Sequence, residues 1–235
     1  DDGVLKWFYE LVPHAFIVGT TGSGKSNLIH VIIASILRIG ATIIAIDGKV
    51  KELAMYKKTD GISVTNKVED YLSVMRNVVL RMNERHQEME RQGKTDYTEL
   101  NLEPVFVILE EISMIFGMLS KDKGKGAESA FQEFERLLML VARGGRDAGV
   151  FLILTTQDPK TTNVSSELRN LLNLRVLLCP VTEITAFDMM FDSKYRNLPN
   201  KEKGYTYIRT EFEPFLVQIP LFPMKRKSDK RPQRI

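Results

Sequence analysis

Two kinds of block alternate along the chain. Short apolar runs occupy residues 15–18, 41–46, 105–109 and 150–155, bounded by histidine, glycine, proline, threonine or acidic residues, and residues 175–178 are a further strand candidate. Runs of this length without polar alternation are what strands buried on both faces present. Between them lie longer stretches with helical spacing. Residues 27–38 are apolar at helical intervals and stop near Gly40, while residues 68–92 align Val68, Tyr71, Leu72, Met75, Val78, Val79 and Met82 on one face. Residues 130–141 bring Phe131, Phe134, Leu137, Leu138 and Val141 together and end before Gly144-Gly145. Residues 93–103 and 120–128 read as loops, the segment after Asp47-Gly48-Lys49 as a polar connection, and residues 204–209 and 215–219 as two short late strands. This succession of β and α units predicts an α/β fold with a mostly parallel sheet and helices on both faces.

The first apolar run leads into Gly19, Thr20, Thr21, Gly22, Ser23, Gly24, Lys25 and Ser26, and a helical stretch follows. This is G-x-x-x-x-G-K-S in strand-loop-helix context, the pattern of a phosphate loop in a nucleoside triphosphatase. Gly19 and Gly24 are expected to let the backbone turn tightly, so that successive N–H groups face phosphate oxygens at the positive end of a helix. Lys25, on an exposed loop, would neutralise the β- and γ-phosphates of ATP, and Ser26 would hold Mg²⁺. The run at 105–109 ends in Glu110 and Glu111, which supply a carboxylate for the Mg²⁺ shell, directly or through water, and a base to polarise the attacking water. Gln157, just past another strand end, is placed to hydrogen-bond the γ-phosphate or that water. Arg143 and Arg146 bracket Gly144-Gly145. They either complement a helix C-terminus or act as an arginine finger on the nucleotide of an adjacent subunit, with Arg146 the first choice.

Composition narrows the setting. A chain of 235 residues, 43% hydrophobic, builds one substantial core, read here as a motor domain over 1–224 followed by a basic, unstructured tail over 225–235. Cys179 is alone, so no intrachain disulfide forms, and His14, His30 and His86 are too dispersed for a metal motif. No apolar stretch reaches the roughly 18 residues of a membrane span. Of the net charge of +3, the tail residues Lys225, Arg226, Lys227, Lys230, Arg231 and Arg234 against Asp229 account for more than the whole, leaving a slightly acidic body. Charge alone therefore does not indicate nucleic acid. The local candidates for DNA contact are Lys121, Lys123 and Lys125 in the 120–126 loop, and Lys160 after the Gln157 turn.

The ordered signatures resemble those of the FtsK/SpoIIIE family of DNA-translocating ATPases. They are Pro13-His14, the phosphate loop, Ile46-Asp47-Gly48-Lys49 with Glu52-Leu53 and Tyr56, and Arg146 to Gly149 leading to Thr155-Thr156-Gln157-Asp158-Pro159. The segments Ala142 to Arg146, Leu168-Arg169, Asn173 to Arg175 and Met189 to Phe191 are similar to the TcpA-type coupling proteins of Gram-positive conjugative elements. The resemblance implies a RecA-like P-loop fold, ATP hydrolysis with Mg²⁺, a hexameric ring threaded by DNA, and secretion-channel and relaxosome partners. It also implies a cytoplasmic motor held at the inner face of the membrane by an amino-terminal anchor. Four positions depart from the pattern: Glu110 replaces an Asp, Gly48 a Pro, Asp158 an Arg and Asp192 a Gly. A polypeptide-export ATPase and a low-turnover, nucleotide-gated docking module are the competing readings.

Overall fold

All four buried apolar runs and the candidate at 175–178 become strands, and they form the middle of one sheet. The structure is a computed structural model that describes residues 6–121, 129–157, 164–182 and 185–222. Its strands are β1 (Ala15–Val18), β2 (Thr42–Asp47), β3 (Ile62–Thr65), β4 (Val105–Glu110), β5 (Val150–Thr156), β6 (Leu174–Leu178), β7 (Tyr205–Arg209) and β8 (Phe215–Gln218). They lie in the order β3-β2-β4-β5-β1-β6-β7-β8. The first six are parallel, and β7 and β8 add an antiparallel edge. The expected mostly parallel sheet is therefore present.

Successive side chains on a strand point to opposite faces, and the core divides accordingly. Phe16 and Val18 face one cluster with Val107, Leu109, Leu152 and Leu154, while Ala15 and Ile17 face another with Phe106, Ile108 and Ile153. The first cluster is covered by α2 (Val68–Gln92), α3 (Ile112–Leu119), α4 (Ala130–Gly144), α5 (Ser166–Leu171) and α6 (Thr185–Met190). The second is covered by α1 (Lys25–Arg38), which contributes Ile29, Ile33 and Ile36, and by the amino-terminal segment. There Tyr9 sits edge-on to Phe106 and Phe151 at centroid distances of 5.1 and 5.0 Å. α4 starts on a capping box in which Ser129 and Gln132 satisfy each other's backbone N–H groups.

Several elements were not legible from the pattern. Residues 62–65, read as part of a polar connection, form β3 at the sheet edge, where only Ile62 and Val64 repeat as apolar positions. α3 is apolar nearly throughout, so no polar face reveals its period. α5 and α6 are six residues each, too short for a periodic signal. The loop expected at 93–103 contains a 3-10 turn, Tyr97–Leu100, that buries Tyr97. Among the described residues, no helix is long and apolar enough to cross a membrane. The tail expected at 225–235 lies outside the described residues.

Candidate nucleotide site

The sheet order builds the site. β5 is inserted between β1 and β4, so its C-terminal end, Thr155-Thr156-Gln157, lies between the phosphate loop after β1 and the two carboxylates that end β4. Three sequence-distant segments are joined at the C-terminal edge of the sheet.

The loop runs from Gly19 to Gly24, and α1 begins at Lys25. Gly22 and Gly24 have φ of 84° and 104°, values that favour glycine. Gly19 has a different reason from the tight turn expected of it. A Cβ there would stand 2.6 Å from Ser23 Oγ and 3.0 Å from Leu178, so the loop folds back too closely to admit a side chain. Thr21 and Gly22 are exposed, Ser26 is half-buried in the first turn of α1, and Ser23 Oγ is buried without a hydrogen-bond partner.

Lys25 is not on an exposed loop as expected: it is 3% exposed. Its Nζ lies 2.5 Å from Glu110 Oε1 and 3.5 Å from Glu111 Oε2, and it donates to Thr155 Oγ1 at 3.3 Å. Glu110 Oε2 accepts from the Thr155 hydroxyl. Both Glu110 oxygens are thus engaged, one by the loop lysine and one by β5. The extra methylene of Glu relative to Asp lets this carboxylate grip Lys25.

Glu111 is held differently. It is the N-cap residue of α3, with φ 60° and ψ 65°, a left-handed conformation unusual for a non-glycine residue. Its Oε1 accepts from Gln157 N at 2.8 Å, Ser113 Oγ at 2.9 Å and Thr156 Oγ1 at 3.0 Å. Its Oε2 makes no hydrogen bond and lies 3.5 Å from both Lys25 Nζ and Lys49 Nζ. Burial opposes ionisation of this carboxyl, but the Gln157 N–H, Lys25, Ser113 and Lys49 together outweigh it and hold its pKa below the ordinary value. The result is a fixed, ionised carboxylate whose Oε2 makes no hydrogen bond and faces two ammonium groups.

Gln157 reaches the loop itself, its Oε1 accepting from Thr21 Oγ1 at 3.1 Å. Gly48, where the family pattern has Pro, donates its N–H to Glu110 O at 2.9 Å, a bond proline cannot make. A Cβ at Gly48 would meet Glu110 O at 2.8 Å. Sequence reasoning assigned no role to Thr155, Thr156, Ser113 or Lys49. The detectable signal was a pair of hydroxyls closing an otherwise apolar strand.

The remaining candidates are not at this edge. Arg146 is exposed on the turn entering the N-terminal end of β5, on the order of 20 Å along that strand from Gln157. Arg143 pairs with Glu167 of α5. Lys121 is exposed after α3, and Lys123, Lys125 and Lys160 lie outside the described residues.

The residues fit a magnesium nucleoside triphosphate. The loop has room for no side chain at Gly19, carries an unpartnered buried hydroxyl at Ser23, and presents the N-terminus of α1. Among the described residues no cluster of three or more metal-ligating His, Cys, Asp or Glu side chains occurs.

Comparison with known proteins gives a consistent result. Residues 2–120 match the model of the FtsK/SpoIIIE family. The chain is 30% identical over 213 residues to an FtsK domain-containing protein, YdcQ, of Bacillus subtilis, covering 88% of this chain and 43% of that protein. It is 26% identical over 187 residues to the DNA translocase FtsK of Lactococcus lactis, covering 70% of this chain and 23% of that protein. The chain thus spans less than half the length of these relatives. Among solved structures, the monomer form of the pCW3 conjugation coupling protein TcpA with ATPγS superimposes with a TM-score of 0.79 at 20% identity, covering 92% of this chain and 62% of that one.

Proposed function

This chain belongs to the FtsK/SpoIIIE family, and from that premise we propose that it is an ATP-driven motor that moves DNA, serving as the coupling protein of a conjugative element. The observation that carries the ATPase reading is the convergence of Lys25, Glu110, Glu111 and Gln157 at one sheet edge, across β1, β5 and β4. The DNA reading is supported by relatives named as DNA translocases, and the conjugative one by the likeness to TcpA.

In this mechanism the backbone N–H groups of Thr20, Thr21, Gly22 and Gly24 and the N-terminus of α1 receive the phosphates, those of Gly19 and Ser23 being bonded to Thr156 and Thr20. A triphosphate then competes with Glu110 for the Lys25 ammonium. Ser26, with Glu110 through water, would hold Mg²⁺, which would neutralise phosphate charge during hydrolysis. Glu111 Oε2 takes the proton of the attacking water, and Gln157 orients that water or the γ-phosphate. Arg146, on the far edge of its own subunit, would serve the nucleotide of a neighbour in a ring.

The test is ATP hydrolysis measured with and without duplex and single-stranded DNA. Stimulation of several-fold that weakens steeply with added salt is expected for contacts to phosphates. Robust hydrolysis indifferent to DNA would overturn the DNA reading and favour polypeptide export.

A further inference from the structure

A second basic site lies away from the phosphate loop. β6 and β7 pair so that Arg175 and Arg209 are directly opposite each other. Both line a cavity of about 350 Å³ that also exposes Asn170, Asn173, Thr210 and Glu211. The Arg175 guanidinium is half-buried and donates to four backbone carbonyls: Arg169 at 2.6 Å, Met189 and Met190 at 3.3 Å, and Leu172 at 3.4 Å. Arg209 donates to the carbonyl of Phe191. Neither forms an ion pair with a carboxylate among the described residues, and Glu211 at the rim comes within ion-pair distance of neither.

Like-charged cations facing each other across adjacent strands are unfavourable. Carbonyls take up most of the Arg175 N–H groups and one of Arg209, whose guanidinium also stands 5.7 Å from the centroid of the Tyr195 ring, but these return only partial charge. Burial, followed by the repulsion of Arg209 and Arg169, depresses the Arg175 pKa, which is the reverse of what an arginine with its own carboxylate shows. Arg143, Arg196 and Arg76 each have an acidic partner, while the buried Arg85 is held by the carbonyls of Ala148, Gly149 and Glu103. Unlike Arg85, neither Arg175 nor Arg209 is enclosed by the core. Instead two planar donor groups border an open, polar cavity.

We propose that the Arg175–Arg209 cavity is a second phosphate-binding site, separate from the phosphate loop. Arg209, with one hydrogen bond to a carbonyl, keeps donors for a pair of phosphate oxygens, Arg175 adds its charge, and the amides of Asn170 and Asn173 and the hydroxyl of Thr210 are suited to the oxygens that remain. The cavity exceeds a lone phosphate, so the group arrives on a larger molecule, either a nucleic-acid strand or a nucleotide. The nucleic-acid source rests on the DNA reading above; the phosphate chemistry does not.

The experiment uses the 235-residue chain with its phosphate loop first filled by a slowly hydrolysed ATP analogue. Inorganic pyrophosphate should then raise the melting temperature by a further 2–4 °C or so. Arg209→Gln, and separately Asn170→Asp, should abolish that rise. Asn170 is exposed, so its variant places a competing carboxylate beside the cavity without disturbing the core. In a parallel arm, duplex DNA affinity is measured by fluorescence anisotropy. A roughly tenfold loss in both variants, with a shallower salt dependence, identifies nucleic acid as the source. A pyrophosphate response with unchanged DNA affinity identifies a nucleotide as the source. No further rise in the wild type, or a rise that survives in both variants, overturns the proposal. Failure of the analogue to bind instead overturns the phosphate-loop reading, and the pyrophosphate response still decides the second site.

Discussion

The residue with the largest gap between its sequence signature and its surroundings is Lys25. The motif named its partner as phosphate, but the fold buries it against Glu110 and Glu111. Removing one member of a buried pair leaves the other uncompensated, at a typical cost of about 3–5 kcal/mol. Lys25→Ala is therefore expected to lower stability by about that amount as well as to lose ATP. The double variant Lys25→Met with Glu110→Gln should recover most of the stability while still failing to bind ATP. Denaturant unfolding and nucleotide titration on the same samples check both halves, and a single variant as stable as the wild type would contradict the ion pair. Glu111→Gln preserves shape but not the ability to take a proton. It should bind ATP with affinity near that of the wild type and hydrolyse it at least about 100-fold more slowly in single-turnover assays. The loop and both glutamates were legible because their chemistry needs fixed residues at fixed spacing beside apolar strands. Thr155 and Lys49 were not, because what they contribute depends on β5 lying between β1 and β4, an arrangement no local spacing encodes.

At the scale of elements, the central strands were legible because burial on both faces leaves no polar alternation, and α2 because a 25-residue amphipathic face repeats many times. β3, α5 and α6 were not, being short elements whose stability comes from what they pack against. The start of β1 illustrates such tertiary control. His14 has φ 63° and accepts the Leu152 N–H on Nδ1 at 3.0 Å, tying the start of β1 to β5, while its Nε2 is buried without a hydrogen-bond partner. Burial lowers its pKa from 6.5 to about 4, against a raising influence from the Ala142 backbone. The unfolded chain takes up a proton below 6.5 and the folded chain does not until about 4. Stability contributed above 6.5 is consequently lost as pH falls through this window, by about 2 kcal/mol at pH 5. Urea unfolding at pH 7.5 and 5.0 should show this drop. His14→Asn, which tolerates the left-handed backbone and keeps an acceptor for Leu152, should show a correspondingly smaller one. Equal drops in the two proteins would remove His14 from the account.

For the whole molecule, the consequence of the sheet order is polarity. The phosphate loop, Glu110, Glu111 and Gln157 occupy the C-terminal edge of the parallel strands, and Arg146 sits at the opposite edge. Within one subunit Arg146 cannot reach its own nucleotide, so a role in hydrolysis requires a second copy packed head to tail, as in a ring. Arg146→Ala should then bind ATP normally and hydrolyse it roughly 10³-fold more slowly, the scale of a missing arginine finger. Arg143, already paired with Glu167, should matter much less. The decisive measurement mixes the Arg146→Ala protein with an excess of Glu111→Gln protein. The first retains a complete nucleotide edge and the second a complete arginine edge, so assemblies containing both carry some competent junctions and hydrolysis should rise above that of either protein alone. If native mass spectrometry confirms mixed assemblies and hydrolysis does not rise, Arg146 does not act across the junction. If neither protein assembles with the other under conditions in which the wild type hydrolyses ATP, the catalytic unit is a single subunit and the arginine must come from elsewhere in its own chain.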